Sequence, residues 1–220
     1  VDTENGQIYY DRCCVLRLEC HVLYLLRHGE TYGTQSREFM SDTSANAKLT
    51  YYGIDKLKKT AEQLRMMDLD VIFYSSIPRV KETFEAVYGQ IGGATYCEEI
   101  SWMVGIDNAG WEQKNKEELT GIDAEDFYQR EIKHNIFAKS SRGCCWGEVL
   151  CRCIKLIEYI NQSCQGKRVL LISQGSIARG LRIVLHMEKE PWDKYDSEVL
   201  FSLKSAENHD YGILQLICGT

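Results

Sequence analysis

A run of seven residues, Leu25–Thr31 (LLRHGET), places His28 beside Arg27 directly after the apolar segment Val22–Leu26. A short apolar run followed by polar residues predicts a buried strand that ends in a loop. A histidine there can act as a nucleophile, and an adjacent arginine can hold an anion. An isolated Arg-His pair is most often two surface side chains. The complete string after a strand instead indicates a reactive site for an anionic group.

Two further groups of small polar residues directly follow predicted strands: Ser75-Ser76 after Val71–Tyr74, and Gln174-Gly175 after Val169–Ser173. The carboxyl ends of parallel strands lie at one edge of a sheet, and ligands of such sheets bind beyond that edge. We therefore expect both groups to lie on the same rim as Arg27 and His28.

Helical patterns separate these strands along the chain. Five helices are predicted: one that begins at Gly53, one from Pro78 to about Val87, one over 123–136, one with the apolar face Val149–Ile160, and one over Ile177–His186. Two late strands are predicted at Val199–Leu203 and Tyr211–Ile217. Alternating strands and helices predict an α/β fold, a three-layer sandwich whose central, mostly parallel sheet carries helices on both faces.

The overall composition is that of a globular protein, with 44% hydrophobic and 26% charged residues among 220. A chain of this length can bury a core without disulfides. Its formal net charge of −6 argues against general nucleic-acid binding and restricts anion binding to a local basic pocket. The longest apolar runs are far short of the roughly 20 residues that a membrane span needs.

Ten cysteines do not indicate a disulfide framework. Two pairs, Cys13–Cys14 and Cys144–Cys145, are adjacent in sequence, and adjacent cysteines bridge only with strain. The first twenty residues lack the pattern of a secretory signal. We therefore expect a reduced, cytoplasmic protein. No metal is expected, because Cys151 and Cys153 would point to different sides of their helix.

The string LLRHGET resembles the signature of the histidine phosphatase superfamily, the phosphoglycerate-mutase-like proteins. Other parts of the chain are similar to the family's later motifs: Leu49-Thr50 before Gly53, Tyr74–Arg79 with Thr83, Gly110–Glu112, and Val169–Ser173 before Gln174-Gly175. The resemblance runs from about Val22 to Ile217. It implies that His28 becomes phosphorylated, that Arg27 and Arg79 neutralise the phosphoryl group, and that Gln174 donates a hydrogen bond to it.

The chain departs from the family's pattern in four places. Gln174 stands in place of a second histidine, Gly105 in place of a proton-donating glutamate, Cys144-Cys145 after Gly143 in place of a Glu-Ser pair, and Thr34 in place of an asparagine. Arg152 keeps its spacing from Gly143. By the resemblance, the residues expected to contact the substrate are Gln174, Thr34, Gly175, Cys144 and Cys145.

The departures leave two interpretations open. In the first, the acid comes from elsewhere, with Asp107, Glu98 or Glu99 near enough in sequence. In the second, the pocket binds a phosphorylated or other anionic ligand and does different chemistry or none. A general acid contributes typically 10²–10⁴-fold to a rate, so its loss would leave a slow enzyme.

The two adjacent thiols also have two interpretations. A thiol near Arg27 and Arg79 would have a lowered pKa and could act as a nucleophile. The alternative is a buried thiol that serves only packing.

The resemblance thus implies a single domain over 1–220, with a helical insertion at about 100–140 over the site. The leading function is a phosphohydrolase or phosphomutase that acts on a small phosphorylated metabolite. No metal or organic cofactor is expected, because the arginines supply the positive charge. The expected partner is a small phosphorylated or anionic substrate, not nucleic acid or a membrane. A homodimer is left open, and Val1–Cys20 could add an edge strand.

Overall fold

The computed structural model describes residues 18–92, 96–133 and 135–185, together with the backbone of 214–217. Its elements, in chain order, are β1 Val22–Arg27, α1 Tyr32–Ser36, α2 Tyr51–Arg65, β2 Val71–Ser75, α3 Pro78–Ile91, β3 Tyr96–Ile100, α4 Gly121–Glu131, α5 Trp146–Ser163, β4 Arg168–Ser173, α6 Gly175–Val184 and β5 Leu214–Ile217. Short 3-10 turns lie at Ala45–Ala47 and Lys116–Glu118.

The strands form one sheet in the order β3-β2-β4-β1-β5. The pairs among β1 to β4 are parallel, and β5 is antiparallel to β1. Arg27 is paired with Ser173 at the ends of β1 and β4. The residues that follow them, His28 and Gln174, therefore leave the sheet side by side, as the strand-end argument predicts.

Two apolar cores lie on the two faces of the sheet. Leu23 and Leu25 of β1 point into a core with α5 and α6, while Tyr24 and Leu26 point into a core with α2 and α3. Alternate strand residues face opposite sides, and β1, β2 and β4 are buried on both, as in covered parallel sheets. The predicted three-layer α/β sandwich with a mostly parallel sheet is confirmed.

The structure differs from the predicted elements in several places. Strand β3 was not expected, because its charged residues hide the apolar pattern of an edge strand. The helix expected over 123–136 is α4, which ends at Glu131. Part of the strand expected at Tyr211–Ile217 is β5, whereas Val199–Leu203 and residues 1–17 lie outside the described residues. Among the described residues, no helix combines the length and apolar character needed to span a bilayer.

Candidate active site

His28 lies just beyond the end of β1, and only 3% of its surface is exposed. Its amide donates to the Ser173 carbonyl at 3.0 Å. Its Nδ1 is 2.8 Å from the Gly29 carbonyl oxygen. Because a carbonyl can only accept, Nδ1 carries the proton and the Nε2 lone pair is left free.

The surroundings of His28 keep its ring neutral. Burial lowers its pKa well below the usual 6.5, and the charges of Arg79 and Arg27 lower it further. Near neutral pH the ring is therefore unprotonated at Nε2, which is the state that a nucleophile needs.

The loop that carries His28 is held by two helices. The Gly29 amide donates to Thr83 Oγ1 of α3 at 3.0 Å. Thr50, which caps α2, donates to the Glu30 carboxylate at 2.8 Å. A Cβ on Gly53 would lie 2.5 Å from the Glu30 carbonyl oxygen, so this helix can approach the loop only with a glycine there. These contacts account for the spacing of the sequence motifs around Thr50, Gly53 and Thr83.

Arg79, in the first turn of α3, is 3% exposed. One guanidinium nitrogen donates to the Ser41 carbonyl at 3.2 Å, and the other lies 3.3 Å from the Asp42 carboxylate. Its Nε is buried without a hydrogen-bond partner among the described residues. Burial lowers the Arg79 pKa, which the nearby Asp42 charge partly offsets.

Arg27 and Gly175 are neighbours at the start of α6. A Cβ on Gly175 would lie 3.5 Å from the Nε of Arg27. The N-terminus of a helix favours anions, because its first amides have no partner within the helix. Arg27 therefore stands beside a second source of positive potential.

Gln174 has a defined amide orientation. Its Oε1 accepts from the Gly105 amide at 2.7 Å, and its Nε2 lies 3.5 Å from the Asp42 carboxylate. The donor end of the amide therefore points to the carboxylate that Arg79 also contacts. This geometry suits the hydrogen-bond donor role that the sequence suggests for Gln174.

Gly105 occupies a position that has no room for a side chain. A Cβ there would lie 2.0 Å from Ser176 Oγ and 3.0 Å from Gln174 Oε1. Ser176 Oγ accepts from the Ile106 amide at 2.9 Å. Gly105, Gln174 and Ser176 therefore pack against one another. The two departures from the family's pattern, at 105 and 174, belong to this one arrangement.

The three acids considered as proton donors are in different environments. Glu98 accepts from the Tyr159 hydroxyl at 2.6 Å, and Glu99 pairs with Lys81 at 2.8 Å, so both are engaged along β3. Asp107 follows Gly105 in the loop that touches Gln174. Burial, and then the charge of Asp42, raise the Asp107 pKa.

The Thr34 hydroxyl is used within α1. It donates to the Thr31 carbonyl and accepts from the Thr31 amide, each at 2.8 Å. This capping box fixes the first turn after the LLRHGET string. The Thr34 side chain thus has a local structural role.

Cys144 joins α5 to the loop that carries Asp107. Its Sγ accepts from the Asp107 amide and donates to the Gly105 carbonyl, both at 3.2 Å. Arg152, within α5, donates to the Val104 carbonyl at 3.0 Å. Both side chains hold the backbone of this loop in place.

Cys145 caps α5, and its amide donates to Glu148 at 2.7 Å. Burial raises the pKa of its thiol. Of the two interpretations of this thiol, the raised pKa favours the buried thiol that serves packing, because loss of solvent and the Glu148 carboxylate oppose ionisation.

Sequence patterns did not single out Asp42 or Ser176. Asp42 meets residues 37 and 132 positions away, so no local spacing marks it. Ser176 follows Gln174-Gly175, and only its contact with Gly105 shows its importance. Both could have been found only from the three-dimensional arrangement.

A family model of the histidine phosphatase superfamily, branch 1, matches residues 23–209. Because the match covers most of the chain, from β1 to beyond α6, the chain belongs to this superfamily. No curated protein sequence matches it significantly.

Solved structures show the same fold. YhfR of Bacillus stearothermophilus is 24% identical, with a TM-score of 0.66 over 78% of this chain and 82% of its own. A mycobacterial glucosyl-3-phosphoglycerate phosphatase, in complexes with VO3, is 19% identical, with a TM-score of 0.64 over 79% and 84%. A phosphoserine phosphatase of Entamoeba histolytica, in complex with phosphoserine, is 21% identical, with a TM-score of 0.63 over 79% and 83%.

Proposed function

We propose that this protein is a phosphomonoesterase that hydrolyses a small phosphorylated metabolite through a phosphohistidine at His28. The observation that carries the proposal is the buried, neutral imidazole with a free Nε2 beside Arg27 and Arg79. Two of the similar structures are a phosphoserine phosphatase and a glucosyl-3-phosphoglycerate phosphatase, which supports this substrate class.

In the first step, Nε2 of His28 attacks the phosphorus, an N–P bond forms, and the ester P–O bond breaks. Arg27 and Arg79 neutralise charge on the transferring group, and Gln174 donates to one of its oxygens. Such preorganised donors are often the largest contribution to catalysis. The leaving oxygen keeps the electron pair of the broken bond and takes up a proton.

Asp107 is the proton source that the geometry favours. Its raised pKa keeps more of the carboxyl group protonated than an ordinary aspartate, and its loop touches Gln174 through Gly105. In the second step, the Asp107 carboxylate accepts a proton from water while the water oxygen attacks the phosphohistidine. The N–P bond breaks, phosphate leaves, and His28 returns to its neutral state.

A second candidate is an anion-binding protein with little or no catalysis. The bonds of Gln174 favour it, because a glutamine held by Gly105 and facing Asp42 cannot exchange a proton with a substrate. A transferase that moves the phosphoryl group between hydroxyls of one metabolite, a mutase, uses the same first step as the hydrolase.

Incubation with a panel of phosphate esters separates these candidates. Phosphate release is followed together with phosphorylation of His28, mapped on peptides at alkaline pH, where a phosphoramidate survives. His28→Asn should abolish both signals. His21→Asn, at an exposed histidine before β1, is the matched control and should leave both unchanged. Ligand binding without release or labelling would support the second candidate.

A further inference from the structure

The Asp42 carboxylate occupies the donors that a phosphoryl group would use. Its Oδ1 lies 3.3 Å from an Arg79 guanidinium nitrogen and 3.5 Å from Gln174 Nε2. One oxygen thus faces both an arginine and an amide, which is the arrangement expected around an oxygen of bound phosphate. An external anion that binds here must replace this carboxylate.

The residues that lead into Asp42 are anchored by contacts with other parts of the fold. Phe39 packs against Trp111 at 5.2 Å between ring centroids, and its amide donates to the Lys114 carbonyl at 2.9 Å. The Ser41 carbonyl accepts from Arg79 at 3.2 Å. These contacts hold the chain immediately before Asp42 in place.

The Asp42 side chain itself is partly open to water. It is 29% exposed, whereas the Arg79 side chain beneath it is 4% exposed. The charged groups that act on it are Arg79 of α3, Arg152 of α5 and Asp107 of the loop before α4. Rotation about its side-chain bonds would expose Arg79 and leave the backbone in place.

We propose that Asp42 is a specificity-determining residue, an internal carboxylate that competes with the ligand for Arg79 and Gln174. This inference rests on the proposed phosphate site. A carboxylate or another singly charged anion gains little by replacing Asp42, because it offers the same charge to the same donors. A phosphoryl dianion brings a second charge and further oxygens that Arg27 can bind. The site would therefore select phosphate esters over carboxylates.

The test measures the affinity for inorganic phosphate by calorimetry at constant ionic strength, with acetate as a competing anion. Asp42→Ala should bind phosphate about tenfold more tightly than the native protein, which corresponds to about 1.4 kcal/mol. Asp42→Asn should show the same direction. Acetate should weaken phosphate binding to Asp42→Ala and have little effect on the native protein. Asp55→Asn, the same charge change on the exposed side of α2, is the control and should match the native protein.

The outcomes distinguish this proposal from the proposed function. Equal phosphate affinity in the native protein and both Asp42 variants would overturn the role of Asp42 while leaving the phosphate site intact. An equal increase in phosphate affinity in Asp55→Asn would assign the effect to overall charge and would also overturn the role of Asp42. Phosphate binding to none of the four proteins would overturn the site itself.

Discussion

The reactivity of His28 depends on one hydrogen bond. Its Nδ1–H donates to the carbonyl of the next residue, Gly29, so the ring is oriented by the loop that carries it. The charges of the two arginines that we propose to hold the substrate also lower the pKa of His28. In the proposed reaction, one cluster would therefore bind the anion and keep the nucleophile neutral.

Placing the family's glutamate at 105 and its histidine at 174 tests whether these two positions limit hydrolysis. Gln174→His with Gly105→Glu should raise hydrolysis only if Ser176→Gly is added, because a Cβ at 105 would lie 2.0 Å from Ser176 Oγ. We expect the triple variant to gain about tenfold or more in kcat, toward the range typical of a general acid. The gain should be larger for alkyl than for aryl phosphates, whose leaving groups need less help from an acid.

The double variant, with Ser176 retained, is the control for this experiment. It should lose about 1–3 kcal/mol of stability through overpacking, measured by denaturant unfolding. A triple variant that folds and hydrolyses no faster would show that positions 105 and 174 do not limit the reaction.

At the scale of elements, α2 positions the reactive loop through Gly53. Gly53→Ala should destabilise the protein by about 1–3 kcal/mol, since the new methyl group meets the Glu30 backbone. Gly89→Ala, in α3, adds the same methyl group where nothing lies within 4 Å. It should stabilise by about 0.5–1 kcal/mol through helix propensity. Thermal unfolding of both variants measures the difference, and equal effects would contradict the contact.

The start of α5 determines the behaviour of the thiols. Cys144 and Cys145 are buried, and burial raises the Cys145 pKa, so both should react slowly with iodoacetamide near neutral pH. Cys151, exposed on the same helix, should react faster. Mass mapping of the alkylated cysteines, with and without phosphate, gives the order of their reaction rates. Rapid labelling of Cys144 or Cys145 that phosphate prevents would instead assign a thiol to the site.

The elements that can be predicted from the sequence are those whose burial requires a recognisable pattern of apolar residues. β1, β2 and β4 are buried on both faces, and their apolar runs identify them. β3 is an edge strand in which Glu98 and Glu99 bond to side chains of its neighbours, so its composition resembles a loop. His28 and Arg79 follow strands and carry a local signature, whereas Asp42 is brought to Arg79 only by the folded chain.

For the whole molecule, stability should depend on pH through His28. Its pKa in the folded protein lies below the 6.5 of an ordinary histidine, so the unfolded chain binds more protons. Stability from this group is therefore present above about pH 6.5 and is lost as the pH falls toward the folded pKa. Tm measured from pH 7 to 5 should fall less in His28→Asn than in the native protein. His21→Asn is the control, and an unchanged slope in His28→Asn would contradict a buried neutral ring.

Asp42 and Asp107 contribute to pH dependence with the opposite sign. Burial raises both pKa values above the usual 3.8, so the folded protein binds more protons than the unfolded chain. Their contribution is present below about pH 3.8 and is lost as the pH rises through the folded values. Asp42→Asn removes the charge that burial disfavours, so it should raise Tm, and the increase should grow as the pH rises above 3.8. No change relative to Asp55→Asn would contradict a burial cost at Asp42.

The central claim is that a phosphoryl group passes through Nε2 of His28. Rapid mixing with p-nitrophenyl phosphate, followed by alkaline quenching and peptide mapping, tests it most directly. We expect phosphorylated His28 within the first turnover and its decay as inorganic phosphate appears. Release of phosphate with no labelled His28 at any time, under conditions where a synthetic phosphohistidine survives the quench, would contradict it.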